Sequence, residues 1–117
     1  MPRKTPQDLP ESDWQVVRVL FIKRGEAWVA QCLEHDIAAQ GKTFDEAEKA
    51  WERTFLGQIL LDAKQGKEPL KDIKPAPRFY WRKFHKEGRQ VSVEPTITLP
   101  MMPASMVHEI KKQARVA

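Results

Sequence analysis

Cysteine is almost absent from this sequence, Cys32 being the single one. An internal disulfide is therefore excluded, and a reducing, cytoplasmic setting is expected. No apolar run approaches the roughly 20 residues that a membrane-spanning helix needs. The basic residues of the N-terminus are not followed by the apolar stretch of a signal peptide. These absences predict a soluble protein of one domain with tails, without a membrane partner.

The sequence also lacks the residue groupings that catalysis and metal binding require. Cys32, His35 and Asp36 have neither the number nor the spacing of zinc ligands, so we interpret Cys32 as a strand cysteine and His35 as a surface histidine. The acidic residues between positions 34 and 46 are explained by turn chemistry and the helix dipole. Gly41-Lys42-Thr43 matches only the end of a P-loop pattern. We predict no catalytic residue, no metal, no cofactor and no enzymatic activity.

What the chain does have is a localised positive charge. The formal net charge is +4, and the segment from Arg78 to Arg89, RFYWRKFHKEGR, contains five basic residues against one glutamate, which accounts for the whole excess. A local excess of this kind indicates an anionic partner. Aromatic residues interleaved with cations are typical of surfaces on which bases stack and phosphates are neutralised. The candidate binding residues are Arg78, Tyr80, Trp81, Arg82, Lys83, Lys86 and Arg89.

Two other interpretations of this segment stay open. In the first, residues 79 to 84 form a strand with Phe79 and Trp81 in the core and Arg82 and Lys83 in water, because aromatic side chains usually serve cores first. In the second, the segment binds an acidic protein. The partner classes are therefore DNA or RNA on one side and a protein on the other.

The pattern along the chain predicts a Pro-rich mobile arm at residues 1–13, with Trp14 at its edge as a candidate interface residue. Strands are predicted over residues 16–23, 28–33 and 37–40. Residues 67–77 form a connector because three prolines interrupt any regular pattern. Residues 90–99 are predicted to be extended, with a break at Pro95. Residues 101–117 are predicted to contain a short amphipathic helix, with apolar positions at Met106, Val107, Ile110 and Ala114.

A long helix after the third strand has the clearest local signals. Thr43 and Glu46 form a capping box, in which each side chain accepts the other residue's backbone N–H. Apolar residues recur every four positions at Ala47, Trp51, Phe55, Ile59 and Ala63, and Gly66 lies where a terminating glycine is expected. Gly57, inside the helix, is attributed to close packing against the sheet or a partner helix, with a kink in the helix as the alternative.

The predicted fold is α+β: a three-stranded antiparallel sheet packed on one long helix (β-β-β-α), plus an extended C-terminal segment ending in a short helix. Its parts are the arm at 1–13, the β-β-β-α domain at 14–77 and the basic, aromatic extension at 78–117. One sheet and one helix leave a surface uncovered, so a homodimer through the sheet or the helix flank is expected.

The stretch from residue 16 to residue 77 resembles the HicB family, the antitoxin partners of small RNA-cleaving toxins. The resemblance is carried by an aromatic at the start of strand two, an acidic turn and a G-x-[ST]-x-x-E-A helix start, which here are Trp28, Glu34 with Asp36, and Gly41, Thr43, Glu46 and Ala47. It implies a partial RNase H-like fold and an antitoxin that binds and occludes a small basic ribonuclease toxin of the HicA type.

The C-terminal part departs from that family. Family members add a DNA-binding segment, and Thr96 to Pro100 followed by Met106 to Lys112 is similar to the strand and first helix of a ribbon-helix-helix unit. No room remains before Ala117 for its second helix. The chain is therefore predicted to be a HicB-like antitoxin or an orphan homologue of that family. The alternative is a nucleic-acid-binding regulator that uses residues 78–89 and the strand over residues 96–99, and a third possibility is a pure assembly module.

Overall fold

The computed structural model of the protein describes residues 16–98 and 109–117. The α+β class is confirmed. Eight elements follow one another along these residues: β1 (Val16–Arg24), β2 (Ala27–Cys32), β3 (Ala38–Gly41), α1 (Phe44–Lys64), α2 (Arg78–Glu87), β4 (Arg89–Gln90), β5 (Thr96–Thr98) and β6 (Glu109–Val116). Neither described helix is long and apolar enough to cross a membrane.

The predicted three-stranded sheet on one long helix is wrong. The strands form a six-stranded mixed sheet in the order β3-β2-β1-β6-β4, with β5 paired to β6. The predicted β1-β2-β3 meander is present and antiparallel. The C-terminal strand β6 then lies parallel to β1 on its other side, with Val16 opposite Lys111 and Phe21 opposite Val116. Residues from the C-terminal extension therefore complete the sheet that the N-terminal strands begin.

The helix predicted near the C-terminus is a strand over residues 109–116; the rest of that prediction, including Met106 and Val107, lies outside the described residues. Ile110, Lys112 and Ala114 are buried, whereas Lys111 and Gln113 are exposed. This alternation has the period of two of a strand that is covered on one face. Ile110 and Ala114 are four residues apart, a spacing that fits a helix face and a strand face equally well. Pairing with β1 decides between the two.

Helix α1 begins as the capping pattern predicts. The hydroxyl of Thr43 accepts the N–H of Glu46 at 3.0 Å. The Glu46 carboxylate accepts the N–H of Lys42 at 3.1 Å, rather than the Thr43 N–H that the prediction named. Gly41 is needed for close approach, because a Cβ there would lie 2.5 Å from the backbone nitrogen of Ala47. The helix ends before Gly66, which has a φ of 75°.

The apolar stripe of α1 covers one face of the sheet. Its residues Ala47, Trp51, Phe55 and Ile59 are buried in one cluster with inward side chains of the sheet, among them Val17, Val19, Phe21 and Ile110. Gly57, in contrast, is exposed, and a Cβ added there would meet nothing within 4 Å. The predicted close packing of Gly57 against the sheet is therefore wrong.

The strand predicted over residues 79–84 is also wrong, because residues 78–87 form helix α2. Phe84 is buried, and Tyr80 and Trp81 are half-buried beside it at helical spacing. Phe79, which the strand interpretation placed in the core, is 51% exposed. The buried side of α2 packs on the face of the sheet opposite α1, in a second cluster that contains Leu20, Ile22, Leu33, Ala76 and Phe84. Both faces of the sheet thus carry a helix.

Candidate functional site

The outward side of α2 carries three cations in a row, Arg78, Arg82 and Lys86, which we call the basic face. They are spaced at i, i+4 and i+8, and therefore lie on one side of the helix. All three are exposed. None makes an ion pair within residues 16–98 and 109–117. Their charge is available to an external anion.

The helix separates the other predicted binding residues from the basic face. Lys83 pairs with Glu87 at 3.0 Å, and only 22% of its side chain is exposed. Tyr80 is half-buried, and its hydroxyl lies 3.5 Å from Arg24 Nη2. Arg89 is exposed in β4, just past the end of the helix. Trp14 lies outside the described residues.

Three arginines from the sheet add positive charge on the side where α2 packs, and the sequence interpretation had not included them. Arg115 of β6 donates to the Phe84 carbonyl at 3.0 Å, and its guanidinium lies 4.5 Å from the centre of the Phe84 ring. Arg24 contacts Tyr80, as described above. Arg18 of β1 lies 5.9 Å from the centre of the Trp81 ring. The available signal was strand alternation, which places Arg18 on the same face as Leu20 and Ile22.

Trp81 lines a cavity of about 420 Å³ at the edge of α2, which we call the Trp81 cavity. Its other walls are the turn after β2, with Glu34 and His35, and the connector between the helices. The connector residues in its lining are Glu68, Pro69, Leu70, Lys71, Ile73 and Pro75. His35 is buried there, so the prediction of a surface histidine is wrong. The cavity joins segments that are distant in sequence.

Several hydrogen bonds hold the walls of this cavity. The Trp81 indole N–H donates to the Ala76 carbonyl at 3.2 Å. Arg18 binds both carboxylate oxygens of Glu34, through its backbone N–H at 2.7 Å and through its guanidinium. A planar ring and a carboxylate are therefore held in defined positions beside each other.

The connector wall is held by Asp62, a buried carboxylate near the end of α1. It accepts the backbone N–H of Leu70 at 2.8 Å and the side-chain amide of Gln58 at 3.0 Å. Leu70 has a φ of 66°, in the left-handed region that branched residues rarely adopt. Backbone strain of this kind persists only where its surroundings enforce it, and it clusters at ligand sites.

The residues for nucleophilic or metal chemistry do not come together in the described parts of the chain. Burial raises the pKa of the Cys32 thiol from 9.0 to about 12, which keeps it in the weakly nucleophilic neutral form. Within residues 16–98 and 109–117, no three His, Cys, Asp or Glu side chains are grouped so that they would hold a metal ion.

Comparison of the chain with protein-family models, with curated proteins and with solved structures finds no match.

Proposed function

We propose that this protein is a non-enzymatic binding protein and that the basic face of α2 binds single-stranded nucleic acid. The observation that carries the proposal is the row of exposed cations Arg78, Arg82 and Lys86, which have no ion-pair partner among residues 16–98 and 109–117. Four residues of α-helix advance about 6 Å, so the row offers a positive charge at regular intervals. A phosphate backbone offers negative charge in the same repeated way.

Exposed aromatic rings favour a single strand over a duplex. Phe79 lies beside the basic face on the same helix and is 51% exposed, and the Lys83 ammonium lies 5.7 Å from the centre of its ring. Trp81 is half-buried at the mouth of the Trp81 cavity. Bases stack on such rings when they are not paired in a duplex, and each stacked base contributes about 1–3 kcal/mol. A basic protein would be repelled from this face, which argues against it as the docking site of a basic toxin.

The test is the salt dependence of binding to a fluorescent single-stranded oligonucleotide, in the wild type and in a charge-reversed variant. Three phosphate contacts predict a slope of log K against log salt of about −2 for a single strand. Replacing Arg78, Arg82 and Lys86 by Glu should abolish binding and flatten the slope. The matched control replaces Lys42, Arg53 and Lys64 by Glu, three exposed cations of the α1 side that make no ion pair among the described residues. Equal losses in both variants would refute a specific role for α2.

A second candidate is the antitoxin function, in which the protein occludes a small basic ribonuclease toxin of the HicA type. The observation that favours it is the position of β3 at the edge of the sheet. One side of β3 pairs with β2, and no described strand pairs with the other. Its residues Ala38 and Ala39 are small, which allows another backbone to approach. An open edge with small side chains accepts an added strand from a partner; a second copy of this chain would give the homodimer instead.

This candidate is tested by tagged co-purification from the native cell with the Ala38→Lys variant, since an edge lysine opposes strand addition and repels a basic partner. The control is Thr54→Lys on the exposed side of α1. The antitoxin proposal requires a small basic protein, recovered in stoichiometric amount and resistant to salt, that is lost only from Ala38→Lys. Light scattering of the purified protein distinguishes a self-paired edge, which would appear as a dimer that Ala38→Lys converts to a monomer. If no small basic protein is recovered and no dimer is seen, the antitoxin proposal is refuted, whereas the nucleic-acid-binding proposal is unaffected.

A further inference from the structure

We infer that the Trp81 cavity takes one base of the strand bound by the basic face, and that it prefers bases with an exocyclic amino group. The inference rests on the proposed nucleic-acid function and adds a base-reading site to it. Trp81 is three residues after Arg78 on α2, so the two side chains are neighbours along the helix surface. The Trp81 ring also lies 6.4 Å from that of His85, at an interplanar angle of 25°. A strand that follows the basic face therefore passes the mouth of the cavity.

The cavity has the size and lining of a small-molecule site. Its volume of about 420 Å³ lies within the usual range of about 300–1,000 Å³ for such pockets. Leu70, Ile73 and Pro75 contribute apolar walls, and Trp81 contributes a flat aromatic one. A nucleobase has an apolar, planar body that stacks on an indole and a polar edge that needs hydrogen-bond partners. The apolar and aromatic walls of the cavity suit the planar body of a base, and its polar lining residues suit the edge.

The two carboxylates of the lining, Glu34 and Glu68, favour donors on the ligand. The side chains of Glu34 and Glu68 are acceptors when ionised. Arg18 uses one acceptor position on each oxygen of Glu34 and fixes its orientation, and each oxygen keeps a further lone pair. Adenine, cytosine and guanine present an exocyclic amino group with two N–H donors, whereas uracil presents one ring N–H flanked by two carbonyl oxygens that a carboxylate repels. Lys71, the cation of the lining, is exposed and can turn to a phosphate.

Hydrogen bonds within the protein hold the walls of the cavity. Asp62 holds Leu70 in its left-handed conformation at 2.8 Å, and the Ala76 carbonyl holds the Trp81 ring at 3.2 Å. Pre-organised walls reduce the conformational entropy that binding would otherwise cost. Helix α2 then contributes to affinity in two separate ways. The basic face binds any strand, and the cavity binds according to the base.

The experiment uses a fluorescent abasic oligonucleotide of about eight sugar-phosphate units that carries a single base at its centre, with fluorescence anisotropy as the readout. Cytosine at that position should bind the wild type about tenfold more tightly than the fully abasic strand, since one stacked base contributes about that much. Uracil should bind several-fold more weakly than cytosine. Trp81→Leu should remove the difference between cytosine and abasic strands, and Trp81→Phe should keep most of it. Arg82→Glu should weaken all strands by the same factor.

Trp28→Leu is the matched control, because Trp28 is half-buried like Trp81 but packs on the α1 side of the sheet, outside the cavity lining; it should leave the ratio of cytosine to abasic affinity unchanged. Failure of every strand to bind would refute the proposed function itself. Binding of all strands with equal affinity by the wild type would keep that function and overturn the inference, whether or not Trp81→Leu folds. Equal affinity for cytosine and uracil would overturn the preference assigned to the carboxylates.

Discussion

The ammonium group of Lys112 joins the C-terminal strand to the long helix, and its replacement tests the architecture directly. Its side chain is 0% exposed. The Nζ atom lies 2.8 Å from Glu48 and 3.5 Å from Glu52, both on α1. It also lies 6.0 Å from the centre of the Trp51 ring. Lys112→Met keeps most of the side-chain volume and removes the charge, leaving two carboxylates next to each other without a cation.

Breaking a buried ion pair by removal of one partner typically costs about 3–5 kcal/mol. The carboxylates here keep 13% and 25% exposure, so water relieves part of that penalty. We therefore expect Lys112→Met to lower the free energy of unfolding by about 3 kcal/mol. That is a large share of the roughly 5–15 kcal/mol of a typical domain.

The assay is urea unfolding followed by tryptophan fluorescence, which gives the free energy of unfolding and the m-value. Lys111→Met is the control, because Lys111 is the exposed neighbour on the same strand; it should change stability by less than about 0.5 kcal/mol. Adding Glu48→Gln and Glu52→Gln to Lys112→Met should recover more than half of the loss, since the uncompensated charges disappear. A loss below about 1 kcal/mol in Lys112→Met, or no recovery in the triple variant, would refute the contact between β6 and α1.

Two further predictions concern buried polar groups. Because folding raises the pKa of Cys32 from 9.0 to about 12, the stabilisation from its neutral thiol is fully present below about pH 9 and is lost between about pH 9 and pH 12. At about pH 10.5 the wild type should have lost about 2 kcal/mol more than Cys32→Ala, measured by urea unfolding at each pH; parallel losses would contradict the burial. Asp62→Ala leaves the Leu70 N–H without its acceptor and should lower the free energy of unfolding by about 2 kcal/mol. It should also raise hydrogen exchange at Leu70, whereas Asp72→Ala, at an exposed position of the same connector, should do neither.

The elements between residues 16 and 64 could be predicted because their signals are local. The Thr43 hydroxyl reaches the Glu46 N–H within one turn, so the start of α1 depends on four consecutive residues. Strand β1 alternates between two sets of apolar residues, and this period is visible without any partner. The positive charge of residues 78–89 is likewise a property of composition.

The helical structure of residues 78–87 could not be predicted from the local sequence pattern. Phe79 and Trp81 alternate as a strand does, whereas Tyr80, Trp81 and Phe84 share a helical face, so the segment satisfies both periods. The sheet face formed by Leu20, Ile22 and Leu33 selects the helix, because a helix there buries Phe84 against it. The same choice aligns Arg78, Arg82 and Lys86 and turns Lys83 toward Glu87.

The sequence by itself determined the first three strands, the boundaries of α1 and the location of the charge excess, because the signal for each lies within a short run of consecutive residues. Tertiary structure alone decided that residues 109–116 form a strand beside β1, since Ile110 and Ala114 fit either period until a partner is present. Tertiary structure also creates the Trp81 cavity, whose walls come from a turn, a connector and a helix. Two of its lining residues, Glu34 and Trp81, are 47 residues apart in sequence. Residues that far apart in sequence come into contact only when the sheet and both helices have packed. No pattern within a short stretch of sequence predicts such a contact.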